Sequence, residues 1–133
     1  FDFGGERYGI PDPELDWEPV RSETRIQLKT ALGSMASFKY IYDFGDHWEH
    51  RIKVEKKWPG DPELRHRAML LKAANAAPPE DVGGAPGYAD FVAAMTDPNH
   101  PEHQSMREWY GDSFDPTFVD VVAISLALHD LKI

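Results

Sequence analysis

Three groups of residues in this 133-residue chain have the types and spacing that chemistry uses. The first is Tyr42-Asp43-Phe44-Gly45-Asp46-His47-Trp48-Glu49-His50. An extended chain sends successive side chains to opposite faces, so Asp46, Trp48 and His50 are expected on one face, with Asp43 just ahead of a turn. A histidine beside a carboxylate can hold a divalent metal or act as a general acid or base. The same residues have a structural use. Asp43 or Asp46 can accept backbone N–H groups and fix the turn, Gly45 can supply a positive φ, and His50 can lie buried on an apolar face.

The second group is Glu80-Asp81-Val82-Gly83-Gly84. Adjacent carboxylates point apart unless the backbone turns, and two glycines permit that turn and a close backbone approach. The structural alternative is a rigid loop whose carboxylates accept backbone hydrogen bonds or cap the next helix. No lysine follows the glycine pair, which argues against a phosphate-cradling loop. The third group is His100 and His103, three apart at an expected helix start, with Glu102 between them. Zinc sites use such pairs only with a third and fourth ligand, for which Asp97 and Asp112 are available; helix capping is the alternative. Asp43-Phe44-Gly45 shares its letters with a kinase metal-binding tripeptide. The chain is too short for a kinase and has no glycine-rich phosphate loop or H-R-D-type catalytic loop.

Composition narrows the partners. The net charge of −9 opposes non-specific binding to nucleic acid, whose affinity comes from Lys and Arg on phosphates. The best local basic patch, Arg51, Lys53, Lys56 and Lys57 with Arg65, His66 and Arg67, is interrupted by Glu49, Glu55, Asp61 and Glu63. It reads as a solvated strand face ahead of a nucleic-acid patch. The chain has no cysteine, hence no disulfide, thiolate zinc site, iron–sulfur cluster or cysteine nucleophile. That fits a reducing compartment, and a cytoplasmic protein is expected. No apolar run approaches the ~20 residues that span a bilayer.

These groups need elements to hold them. The hydrophobic fraction of 41% and a length suited to one domain predict a single folded unit over 1–133. Phe1-Asp2-Phe3 reads as a strand end, Gly4-Gly5 as a turn and Glu6 to Gly9 as a return strand. Pro11 to Pro19 is a proline-rich acidic loop in which Trp17 is expected to act as an anchor. Arg25 to Leu32 fits a strand or a short helix, closed by Gly33 and Ser34. Phe38 to Asp43 and His47 to Lys57 alternate with period two and predict a β-hairpin, with Trp48, His50, Ile52 and Val54 on its buried face. Trp58 to Pro62 is a break, and 68–77 is a short helix or an irregular arm. Pro78 to Tyr88 is a loop. Helices are predicted over Tyr88 to Met95, from Asn99 or His100 to Tyr110, and from Asp115-Pro116 onward. Strands first and helices last predict an α+β fold: a mainly antiparallel sheet with a central aromatic hairpin, then packed C-terminal helices.

Several stretches also resemble a known family. Tyr42-Asp43-Phe44-Gly45-Asp46-His47-Trp48-Glu49-His50 resembles the hairpin motif of the Ri-plasmid Orf-three-like family. Pro78 to Gly84 with Gly87-Tyr88 is similar to its "PPEDxGGxxGY" loop. Asp97-Pro98-Asn99-His100-Pro101-Glu102-His103, Phe114-Asp115-Pro116, and Phe3 to Gly9 are similar to three more of its motifs. The resemblance covers nearly the whole chain in order. It implies an α+β fold, a plasmid or mobile-element setting and no established activity. It also implies that an N-terminal strand, a helix and all but the tail of a second strand precede Phe1, so that 1–133 is the C-terminal three-quarters of the family domain. A sheet lacking that part is expected to have an exposed edge and an uncovered apolar face. Some members carry a resolvase-type label, but none of Ser22, Ser34, Ser37, Ser105, Ser113 and Ser125 lies among the arginines that such a nucleophile needs. Many members have a cysteine where this chain has Ala77.

Three functions follow as expectations. The leading one is an accessory or binding domain with a cleft formed by Tyr42, Asp43, Asp46, Trp48 and His50 on the hairpin and Glu80, Asp81, Gly83, Gly84 and Tyr88 on the loop. Its partner would be a protein or small polar ligand in preference to nucleic acid. The second is a metal-assisted hydrolase using His50 with nearby carboxylates and a divalent metal. The third is nucleic-acid association through the Arg51 to Arg67 segment or a fused domain.

Overall fold

Aromatic and β-branched residues alternating over 38–42 suit a pleated sheet. In the computed structural model they form β4 (Ser37–Tyr42), antiparallel to β5 (Trp48–Lys53). The register pairs Phe38 with Ile52, Tyr40 with His50 and Tyr42 with Trp48. The structure describes residues 1–14, 17–57, 59 and 68–131. They fall into two compact units, Phe1–Lys57 and Trp58–Ile133. Of the expected basic patch, Arg65, His66 and Arg67 lie outside the described residues, as does most of the Trp58 to Pro62 break.

The first unit is a five-stranded sheet in the order β3-β2-β1-β4-β5. β1 (Asp2–Phe3) and β2 (Glu6–Gly9) form the expected tight hairpin. β3 (Val20–Ser22) runs parallel to β2 and carries no pattern that marks it in the sequence. Three residues after a proline carry no alternation to read, and the strand is defined by its neighbour. Arg7 on β2 meets Glu18 at 3.0 Å, and Arg21 on β3 meets Glu6 at 3.5 Å. The ambiguous 25–32 stretch resolves as a 3₁₀ turn (Glu23–Arg25) followed by α1 (Leu28–Leu32), which Gly33 ends. Phe3, Tyr8, Leu32 and Phe38 are the buried core, with Ile26, Ala31, Met35, Ile52 and Val54 packed against it. Phe3 stacks on Phe38 at 4.7 Å, and its ring lies edge-on to Tyr8.

Three expectations about this unit are corrected. Trp17 is fully exposed, so it anchors nothing in the described structure. β5 ends at Lys53, four residues short of Lys57. His50 is exposed. The alternation does put it on the same face as Ile52, but Ile26, Ala31, Leu32 and Met35 cover only the Phe38 end. Burial fades along the strand from Phe38 at 6% to Tyr42 at 42%.

In the second unit, 68–77 is an irregular arm, tied down where the Ala76 N–H donates to the Pro116 carbonyl at 2.9 Å. α2 (Gly84–Thr96) begins four residues before the expected Tyr88, because Gly83 in a left-handed conformation acts as its cap. Pro86 is then tolerated in the first turn, where an intrahelical N–H partner is not needed. α3 (His103–Tyr110) starts later than Asn99 or His100, and Gly111 closes it as expected. α4 (Val121–Asp130) is capped by Asp120 and not by Asp115. Asp115 uses its carboxylate on the Thr117 N–H and hydroxyl, closing a turn, while Asp120 reaches the Ala123 N–H at 2.8 Å. Phe91, 1% exposed, is the hub of this unit. Trp109, Tyr110 and Phe114 surround it at ring distances of 5.8, 5.2 and 5.0 Å. The architecture is α+β, with a mostly antiparallel sheet. No helix among the described residues is long and apolar enough to cross a membrane.

Candidate functional site

The hairpin turn is built by Asp43. Its Oδ1 accepts the Gly45 N–H at 2.8 Å and the Asp46 N–H at 3.3 Å, while its carbonyl accepts the His47 N–H at 2.6 Å. The left-handed positions are Asp43 (φ 53) and His47 (φ 55); Gly45, expected to supply the positive φ, does not. Short polar side chains that bond their own backbone tolerate this conformation. Asp46 lies within the turn, so strand alternation does not set its direction. Trp48 and His50 open β5. His50 Nδ1 meets the Trp48 carbonyl at 3.1 Å and its ring lies 5.7 Å from Tyr40. Tyr42 pairs with Trp48 across the ladder.

The second unit holds the other half of the expected set. Asp81 takes a left-handed conformation (φ 57), and Gly83 follows at φ 90. The chain thus reverses into α2 so closely that a Cβ on Gly87 would collide with the Val82 carbonyl. That contact explains why Gly87 must be a glycine. Glu80 is exposed on this loop, Gly84 is buried as the first residue of α2, and Tyr88 sets its ring edge-on to Phe114 at 6.1 Å.

Against this loop lies a cavity of about 380 Å³. Its walls are Phe91, Met106 and Trp109, with Val82 and Gly87 at the loop side. Asp81, Asp90 and Glu102 bring three carboxylates to it, and among the described residues no Lys, Arg or His lines it. Each comes from a different element: the left-handed loop, α2 and the cap of α3. Of these, sequence reasoning singled out Asp81 as a site residue and overlooked Asp90, Met106 and Trp109. The readable signal was Glu102, Met106 and Trp109 at i, i+4 and i+7, which lines one helical face. A cavity of about 370 Å³ in the first unit is lined by Phe1, Phe3, Tyr8 and Phe38 from the sheet and by Ile26, Leu28 and Ala31 beside it. It is apolar apart from Glu23 and Thr24.

The histidine pair serves the fold. His103 Nδ1 donates to the Ala94 carbonyl at 2.7 Å, fastening α3 to α2, and His100 Nδ1 accepts the Glu102 N–H at 3.2 Å. Among the described residues no three His, Asp or Glu side chains are grouped to hold a metal ion.

The comparisons with known proteins agree with this architecture. The chain is 40% identical over 127 residues, 93% of its length, to the uncharacterized protein y4hQ of Sinorhizobium fredii. It is similar, with a TM-score of 0.72 and 29% identity over 87% of its length, to the crystal structure of MM3350 from Methanosarcina mazei, a protein of unknown function. It spans 64% of the first relative's length and 62% of the second's. The model of the plasmid pRiA4b ORF-3-like protein family matches residues 1–123, and the chain belongs to that family.

Proposed function

We propose that the chain is a binding domain whose ligand site is the pocket of the second unit, bounded by Asp81, Val82 and the facing sides of α2 and α3. The observation that carries this reading is the pocket itself. It has an apolar wall of Phe91, Met106 and Trp109 with the exposed carboxylates of Asp81, Asp90 and Glu102 around it. An apolar cavity with a few placed polar groups is the usual form of a ligand site. Asp81 enters the site from a loop whose backbone is left-handed at that residue. A short protein segment or a small polar molecule fits this site better than duplex nucleic acid, given the net charge of −9.

The test is a thermal-shift screen of amino acids, amines, carboxylates and short peptides, read against Asp81→Asn. Asparagine tolerates the left-handed backbone, so the variant removes charge and keeps the loop. Compounds that raise the melting temperature of the parent protein are expected to lose most of that effect in Asp81→Asn. Undiminished stabilisation of the variant by every hit would remove this pocket from the argument. Trp48→Ala, run in parallel, reports whether the hairpin contributes to capture.

A further inference from the structure

We infer that His103 is the positioning residue of this pocket: its ring supplies the hydrogen bond that Pro98 denies to the end of α2, and so clips α3 against α2. The use made of the clip rests on the binding reading above; the clip itself rests on the backbone. Each carbonyl inside a helix accepts the N–H four residues on. The Ala93 carbonyl accepts that of Asp97 at 3.1 Å. The next carbonyl, that of Ala94, would need the N–H of residue 98, and proline has none. Ala94 is 0% exposed, so water does not reach this carbonyl either. A buried carbonyl left without a donor keeps the full cost of leaving water. The His103 Nδ1–H fills the vacancy at 2.7 Å. A carbonyl oxygen only accepts, so the ring proton sits on Nδ1.

The segment between is folded so as to bring that ring back. The Asp97 carboxylate accepts the Asn99 N–H at 2.9 Å, and the Asp97 carbonyl accepts the His100 N–H at 2.9 Å. The His100 carbonyl then accepts the His103 N–H at 3.0 Å. The clip stands beside the pocket. Ala94 lies one turn beyond Asp90 and Phe91 on α2. His103 follows Glu102 and lies one turn before Met106 on α3. All four of these neighbours line the cavity, and positions three or four apart share a helix face. Farther along α3 the helices meet through rings, with Phe91 5.8 Å from Trp109 and 5.2 Å from Tyr110. Ring pairs accept a range of offsets, whereas a short hydrogen bond to a helical carbonyl does not. The bond therefore sets the spacing of the two walls, and the rings fill what it leaves.

The experiment compares the full chain with His103→Ala and His103→Asn, all without ligand. An asparagine amide places an N–H close to where Nδ1 stands, so it keeps the bond. His103→Ala is expected to speed amide exchange in α3 and the last turn of α2 by at least about tenfold. It should also move the indole N–H resonance of Trp109, assigned with Trp109→Phe. Exchange in β4 and β5 should stay as in the parent. His103→Asn is expected to recover most of both changes. Should His103→Ala fail to fold, nitrogen-15 spectra of the parent in alkaline buffer decide, because the neutral ring must carry its proton on Nδ1. Parent-like exchange in His103→Ala, or an indole resonance that stays in place, would overturn the inference. So would His103→Asn behaving like His103→Ala, or a neutral ring protonated on Nε2. No readout uses a ligand, so the clip is decided separately from the pocket, which the thermal-shift screen tests.

Discussion

Asp43 shows how much one side chain can define. It accepts two backbone N–H groups and holds a left-handed backbone at the same time. Asp43→Ala loses both and places a methyl in the left-handed region, so it should destabilise the protein by about 1–2 kcal/mol. Asp43→Asn keeps the geometry and should stay within about 0.5 kcal/mol of the parent; chemical denaturation of the pair measures both. Asp115 illustrates how a local hydrogen bond sets acidity. The Thr117 hydroxyl and N–H hold it below the usual carboxylate range. A carboxyl with a lowered folded pKa stabilises above its unfolded pKa, and that contribution fades as pH falls through the folded value. The difference in melting temperature between the parent and Asp115→Asn is therefore expected near neutrality and should vanish in strong acid. The turn role of Asp43 was legible because its partners lie within three residues. The exposure of His50 was not, because burial depends on which distant element covers a face, and strand alternation is silent about that.

Helix starts illustrate the same divide at the next level. Two aspartates, Asp115 and Asp120, had cap chemistry, and proline after the first favoured it; the nearby Thr117 hydroxyl diverted Asp115 into a turn. The glycine-rich stretch 83–87 looked like loop and instead carries the cap and first turn of α2. Its last glycine has a reason that composition alone does not disclose. Gly87→Ala forces a methyl against the Val82 carbonyl, and overpacking of this kind costs about 1–3 kcal/mol. The expected result is a lowered melting temperature together with weaker ligand binding, since Val82 and Gly87 both line the pocket. A melting temperature equal to the parent's would show that the helix start yields freely. The β4–β5 hairpin, by contrast, was legible as two strands about a turn at 43–47, because period-two alternation and a local turn determine it together, although β5 stops at Lys53.

The folded chain draws little from its ion pairs, which are exposed and individually weak. Stability rests on aromatic packing: Phe3 with Tyr8 and Phe38 in one unit, and the ring of side chains around Phe91 in the other. The fold class was legible from the order of strands and helices, and the family from five motifs in sequence. The pocket was not, because three separate elements supply its carboxylates. The sheet of the first unit has a further property. Its central strand, β1, is two residues long and meets β4 through the single pair Asp2–Lys39, whereas β4 and β5 share six pairs from Ser37–Lys53 to Tyr42–Trp48. Across that middle line the rings of Phe3 and Phe38 hold what the backbone barely laces. Phe3→Ala should cost about 3–5 kcal/mol, with amide exchange rising in β1 and β2 before it rises in β4 and β5. In mechanical terms the sheet is a strong ribbon riveted to a small flap, and under load it would tear at the rivet.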